Sequence, residues 1–126
     1  MKSKLTKIKE LLWEECKRII RATYQNKDGT WECYTCGTLI TSKQDAHTGH
    51  FIAKSVCGTF LKYDLRNLRV QCMACNVWHG GNGAIFYKNM VEREGQEYVD
   101  LIFKDKQRIT KESEFLPGLL DEYKKL

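Results

Sequence analysis

Four cysteines, three histidines and two asparagines are the residues of this sequence whose types and spacing could do chemistry. Cys33-Tyr-Thr-Cys36 and Cys72-Met-Ala-Cys75 each set two thiols at the interval that wraps one metal ion. Four thiolates form a closed tetrahedral set suited to structural zinc, because no position is left for water or substrate. Gly37 follows the first pair, where the chain must turn tightly around the metal. The 35 residues between the pairs exceed what a bare zinc ribbon needs, so the metal closes a loop with other contents. That loop holds Asp45-Ala-His-Thr-Gly-His50, and at its far end comes Asn67-Leu-Arg-Val-Gln-Cys-Met-Ala-Cys-Asn76. An imidazole titrates near neutrality and suits a general base. An amide carbonyl can bind a hard cation.

The elements that must position these groups are partly readable. Apolar residues recur at Leu5, Ile8, Leu12, Cys16 and Ile19, one face of an amphipathic helix over residues 5–24. Lys7, Lys17, Arg18 and Arg21 project from the opposite face, which is either plain solvated surface or a track for phosphates. Asn26-Lys-Asp-Gly29 ends the helix. Short strands are expected at 46–52 and 67–71, joined by an irregular loop. After Gly80-Gly-Asn-Gly83 a helix runs over 84–94, Gly95 interrupts it, and a second covers about 96–104 with Tyr98, Leu101 and Ile102 as core contacts. Pro117 is placed to open a short terminal helix. The division is a basic amphipathic helix (1–25), a zinc-supported core (31–94) and a helical extension (95–126), all in one domain.

Composition bounds the rest. Hydrophobic residues are 42% and charged residues 29% of 126, values of a chain that folds. The basic N-terminus lacks the apolar run of a signal peptide, and no stretch approaches a membrane span. An intracellular, soluble protein is expected, so the cysteines are read as metal ligands and not as disulfides. Cys16 and Cys57 are left as ordinary thiols. The formal charge of +5 is mildly favourable to a polyanionic partner.

A histidine on a strand, then Asn-Leu, then Cys-x-x-Cys-Asn nine residues after the first asparagine resembles the HNH (His-Me finger) endonucleases. The resemblance extends to the phage NinG/Rap recombination proteins through Cys33-Tyr-Thr-Cys-Gly37, Gly49-His-Phe51, Asn67, Gln71-Cys-Met-Ala-Cys-Asn76, Gly81-Asn82 and Glu94-Gly-Gln-Glu-Tyr-Val99. It implies an α+β fold with a small ββα-metal core supported by the four-cysteine zinc site and flanked by helices. It further implies that His50 is the base, that Asn67 ties loop to strand and orients His50, and that Asn76 binds a catalytic Mg2+ or Mn2+.

One position departs from the pattern. The residue before the base is commonly a metal ligand, and here it is Gly49. His47, Asp45 or His79 could replace it, His47 being preferred because it lies two positions along the same strand. Lys54, Lys62, Arg66 and Arg69 flank the site as expected phosphate contacts. Trp78 could stack on a base at a branch point, although packing beneath its loop is the commoner fate of such a tryptophan.

What the resemblance implies is a metal-dependent endonuclease for branched recombination intermediates such as Holliday junctions or D-loops, in the host cytoplasm, as a homodimer if two symmetric cuts are made. The alternatives are an HNH enzyme cutting duplex DNA in packaging, restriction or homing, and a zinc module that binds DNA without cutting it.

Overall fold

The computed structural model describes residues 1–126. Helix α1 (Lys4–Tyr24) starts at Ser3, whose hydroxyl accepts the Thr6 N–H at 3.1 Å. Such a cap satisfies a donor that the first helical turn otherwise leaves open. Leu12, Cys16, Ile19 and Ile20 form its buried stripe, as the apolar spacing requires. A two-residue hairpin follows, β1 (Trp31–Glu32) against β2 (Leu39–Ile40), with the first cysteine pair in its turn. The Trp31 indole N–H donates to the Arg21 carbonyl at 2.9 Å and fastens the hairpin to the end of α1.

Strands β3 (His47–His50) and β4 (Leu68–Gln71) pair antiparallel, His47 opposite Gln71 and His50 opposite Leu68. After β4 comes a π-helical turn, Ala74–Trp78, and then α3 (Gly83–Glu94), α4 (Gln96–Lys104) and α5 (Glu112–Lys124). Gly95, at φ +96°, makes the break between α3 and α4 that the sequence indicates. The fold is thus α+β, with two small antiparallel sheets. No helix is long and apolar enough to cross a membrane.

Two apolar clusters hold the strands. One joins α1 and α5 to Leu68 and Val70 of β4. The other joins Phe51, Ile52 and Leu61 to Phe86 and Met90 of α3 and to Val99 and Ile102 of α4. Covered on both sides, all four residues of β4 are buried.

The structure revises several expectations. The strands are shorter than 46–52 and 67–71, because the chain bends at Phe51 and Ile52 to enter the second cluster. The connecting loop contains helix α2 (Gly58–Lys62) and buries Leu61 completely. Leu101 is 47% exposed, and Val99 with Ile102, three apart on one face, supplies the core contacts. Helix α5 begins five residues before Pro117, which lies in its second turn. There the proline forgoes only the bond to the Ser113 carbonyl, a loss set against the burial of Leu116, Leu120 and Tyr123.

Candidate metal centre and adjoining cationic hollow

The Sγ atoms of Cys33, Cys36, Cys72 and Cys75 all lie within 4.8 Å of one another. Cys36 and Cys72 are 3.7 Å apart, close to the roughly 3.8 Å edge of a tetrahedron built on Zn–S bonds of about 2.3 Å. Each pair repeats one turn: the Cys36 N–H donates to Cys33 Sγ and the Cys75 N–H to Cys72 Sγ, both at 3.5 Å. Burial opposes ionisation of Cys33, but the Cys36 N–H and the Thr35 hydroxyl outweigh it and draw the thiol down to about 6. Burial and the neighbouring thiols push Cys72 up to about 12. Four thiolates this close together repel one another, and a dication among them relieves that repulsion. The four cysteines therefore fit a metal ion such as zinc. Cys16 and Cys57 stand apart, both fully buried.

The second cysteine pair leads directly into the π-helical turn that carries Asn76. The Asn76 amide Nδ2 lies 3.2 Å from His47 Nδ1. An NH2 group can only donate, so this imidazole nitrogen presents a lone pair. Strand and turn thus bring together the residue matching the last motif position and the histidine preferred as its companion. Asp45 is turned into its own loop, accepting from the Ser42 hydroxyl at 2.8 Å. His79 is exposed beyond the turn.

Gly49 has a steric explanation. A Cβ built there would fall 1.8 Å from Gln71 Oε1 and 2.7 Å from its Cδ. Gln71 is fully buried and donates from Nε2 to the Gly81 carbonyl at 2.8 Å and to the Thr35 hydroxyl at 3.2 Å. It crosses the space that a side chain at position 49 would need. No ligand can stand there without displacing it.

His50 is held on two sides. Its Nε2 lies 2.9 Å from the Lys62 carbonyl, and an oxygen of that kind accepts only, so Nε2 carries the proton and Nδ1 is the basic atom. The Trp13 indole stacks on the imidazole with centroids 5.2 Å apart and planes 13° from parallel. Burial lowers the His50 pKa below its ordinary 6.5, the Lys62 carbonyl opposes this, and the charges of Lys54 and Lys62 add to the lowering. Near neutral pH the ring is an uncharged base.

Asn67 is fully buried. Its Oδ1 accepts the Ile52 N–H at 2.8 Å, while Nδ2 donates to the carbonyls of Ile52 at 3.1 Å and Leu61 at 3.2 Å. It joins both ends of the loop after β3, one residue from the Lys62 carbonyl that holds His50.

Trp13, Thr48 and Asn76 line two adjoining hollows, one containing His47 and the other His50. A third hollow shares Trp13, His50 and Lys54 with the second and is lined also by Lys62. Those two lysines remain where a phosphate could reach them. Arg69 does not. It is 1% exposed, donates to the carbonyls of Leu68 and Arg66, faces the rings of Tyr24 and Tyr34 and lies 3.5 Å from Glu94. Arg66 is committed to Asp64 at 2.6 Å and Asp105 at 2.7 Å. Arg69 is a structural cation, and the expectation of a phosphate contact fails for it; Arg66 is a third exposed, with its charge already met by two carboxylates. Arg18, although exposed, is engaged by Glu15 at 2.6 Å and by the carbonyls of Tyr123 and Leu126.

Trp13 was not singled out from the sequence. Its signal is the series Trp13, Lys17, Arg21, an aromatic followed by cations at every fourth position of α1, all three lining the His47 hollow. Trp78 does not pack beneath its loop and is 72% exposed.

The molecule is a small α+β protein with four clustered cysteines able to hold a metal, beside a hollow furnished with imidazole, amide and ammonium groups. Over residues 1–126 it matches the family described as Bacteriophage Lambda NinG protein, and it belongs to that family. Among curated relatives it is similar to "Protein ninG" of Escherichia phage 933W, 30% identical over 95 residues, covering 75% of this chain and 46% of the relative. The same protein of Salmonella phage P22 is 29% identical over 110 residues, covering 87% and 53%. That of Escherichia phage lambda is 30% identical over 95 residues, covering 75% and 45%. The chain spans about half the length of the curated relatives it matches. No solved structure matches.

Proposed function

We propose that this chain is a metal-dependent DNA endonuclease of the HNH type, acting on branched DNA, with zinc in the cysteine cluster as its support. The observation that carries the reading is His50: one ring nitrogen is fixed to a carbonyl, and the ring lines a hollow shared with Asn76. Phosphodiester hydrolysis needs a base for the attacking water and positive charge against the phosphate. His50 Nδ1 takes the water proton. Trp13 and the Lys62 carbonyl keep the ring oriented, and Asn67 keeps that carbonyl in place. Lys54 and Lys62 favour the neutral ring and supply charge near the phosphate.

His47 and Asn76 would hold the catalytic cation, which supplies charge against the developing phosphate anion. A half-turn of the Asn76 amide exchanges its nitrogen for its oxygen opposite the His47 lone pair. These are only two donors, both neutral. Mg2+ prefers an all-oxygen shell that includes carboxylates, whereas Mn2+ accepts imidazole more readily. Mn2+ is therefore expected to support activity better than Mg2+, and cation binding to depend on the DNA phosphate. The same scarcity of donors favours the second reading, a zinc module that binds DNA without cutting it.

One experiment separates the readings. The purified protein is incubated with a four-way junction, a flap and a linear duplex, with Mn2+, with Mg2+ and with no added divalent cation. Cleavage that needs a cation and favours the branched substrates supports the proposal. Preferred cutting of the linear duplex would assign an HNH enzyme with another task. Binding without cleavage under any cation would establish the non-catalytic module. Symmetric cuts across the junction would further require a dimer, which sedimentation in the presence of DNA would reveal.

A further inference from the structure

The π-helical turn that carries Asn76 also displays an apolar group to solvent: Trp78 is 72% exposed, Val77 60% and Met73 46%. The other tryptophans behave differently, Trp31 being 5% exposed and Trp13 stacked on His50. Clustered exposed apolar side chains on a small protein mark a contact surface. The turn is also rigid. Cys75 anchors it in the thiol cluster, the His79 N–H donates to the Ala74 carbonyl at 2.9 Å, and the Gly81 N–H donates to the Cys75 carbonyl at 2.8 Å. An indole on such a turn is displayed without the entropy cost of ordering a loop.

The charge beside it identifies the partner. Trp78 lies between Asn76 and Gly80, both lining the His50 hollow. Across the three adjoining hollows the cations are Lys9, Lys17, Arg21, Lys43, Lys54 and Lys62, against a single carboxylate, Glu10. Glu10 is itself paired with Lys2. Arg21, Lys43, Lys54 and Lys62 have no carboxylate partner. Trp78 itself lines none of these hollows, but the turn that displays it borders them through Asn76 and Gly80; unpaired cations beside an exposed indole suit a nucleic-acid strand, whose phosphates meet the cations while a base stacks on the ring. A protein partner would have to bring carboxylates to the cations as well as apolar side chains to the indole, whereas a nucleic-acid strand carries both phosphate charge and aromatic faces along its length.

From this juxtaposition we infer that Trp78 is the residue that recognises unpaired nucleotides. Phosphates flanking the captured base meet Lys54 in the His50 hollow and Arg21 and Lys43 in the His47 hollow that adjoins it. The identification of the nucleic acid as DNA rests on the nuclease reading, but the stacking role does not require cleavage. In a duplex both faces of each interior base are covered by neighbours. An indole platform therefore discriminates in favour of flaps, single-stranded tails and strand exchange points.

The test is equilibrium binding without added divalent cation, so that nothing is cut. Fluorescently labelled flap and blunt duplex of equal length are titrated with the wild-type protein, Trp78→Phe and Trp78→Ala, zinc content being matched among the three. The expected result is a loss of about ten-fold or more in flap affinity for Trp78→Ala, most of it restored by phenylalanine, and no change on the duplex. Quenching of tryptophan emission by an unlabelled single strand is expected in the wild type and strongly reduced in Trp78→Phe. Undiminished flap binding by Trp78→Ala, or equal loss on flap and duplex, would overturn the inference. A protein that cleaves DNA while binding flaps independently of Trp78 refutes this inference alone. One that binds flaps through Trp78 and cuts nothing refutes only the nuclease reading.

Discussion

The turn running from Cys72 to Trp78 serves two sites of opposite construction. On its inner side the thiol cluster has four donors, mutual distances suited to one ion, and N–H groups turned toward sulfur. On its outer side His47 and Asn76 provide two neutral donors at the edge of an open, cationic hollow. The first is complete within the chain; the second, on the proposed reading, would be completed by phosphate and cation. A closed donor set serves stability and an open one serves chemistry. Here the closed set anchors the turn that carries Asn76.

The largest expected effect breaks the inner site. Structural zinc contributes on the order of 10 kcal/mol in small zinc-dependent folds, comparable with the whole stability of a domain this size. Cys72→Ser, or chelation of the wild type, should abolish cooperative thermal unfolding and release the metal. A chelated protein with an unchanged melting curve would remove zinc from the account.

Next comes Asn67→Ala, which leaves the Ile52 N–H and the Ile52 carbonyl without a partner, while the Leu61 carbonyl keeps the Asp64 N–H. At about 1–3 kcal/mol for each buried group left unpaired, chemical denaturation should show a loss of several kcal/mol. Gly49→Asp sharpens the comparison further. It restores an acidic residue before the base, yet must displace Gln71, at a cost of about 1–3 kcal/mol of the kind seen for overpacked cores. A variant that is more stable, or that binds Mn2+ without DNA more tightly, would show that the outer site is not built around the glycine.

The smallest effect concerns Trp13. His50 is held below its ordinary pKa chiefly by burial. Its neutral form is therefore expected to persist into mildly acidic solution, with cleavage declining only below pH 6.5. Trp13→Ala exposes the ring, so the acid limb of the pH–rate profile should move up toward 6.5. Stability follows the same sign. A depressed histidine pKa costs nothing above pH 6.5 and costs stability as pH falls from 6.5 through the folded value, because the unfolded chain takes up the proton first. Trp13→Ala should shorten that window. An unmoved acid limb would show that the stacking does not set the base.

Legibility in the sequence followed the range of the interactions. Cysteine spacing is local, and the four thiols converge as the motif indicates. The α1 stripe and the break at Gly95 are local too. The relation of His47 to Asn76 could be narrowed from the sequence but not decided, since it depends on how a strand meets a turn 29 residues later. Arg69 reads as a surface cation on an alternating strand; its burial requires that α3 and α4 cover the second face of β4, which no nearby residue announces. Helix α2 is too short for a periodic signal. The stacking of Trp13 on His50 joins residues 37 positions apart, and the display of Trp78 follows from the thiol cluster fixing the turn from within.

The most direct measurement of the central claim compares the wild type with His50→Ala for bound zinc and for Mn2+-dependent cleavage of a four-way junction in the same preparation. Equal zinc and the same thermal midpoint within a few degrees are expected, with cleavage reduced about 10²- to 10⁴-fold, the contribution of a general base. Undiminished cleavage by His50→Ala would contradict that claim.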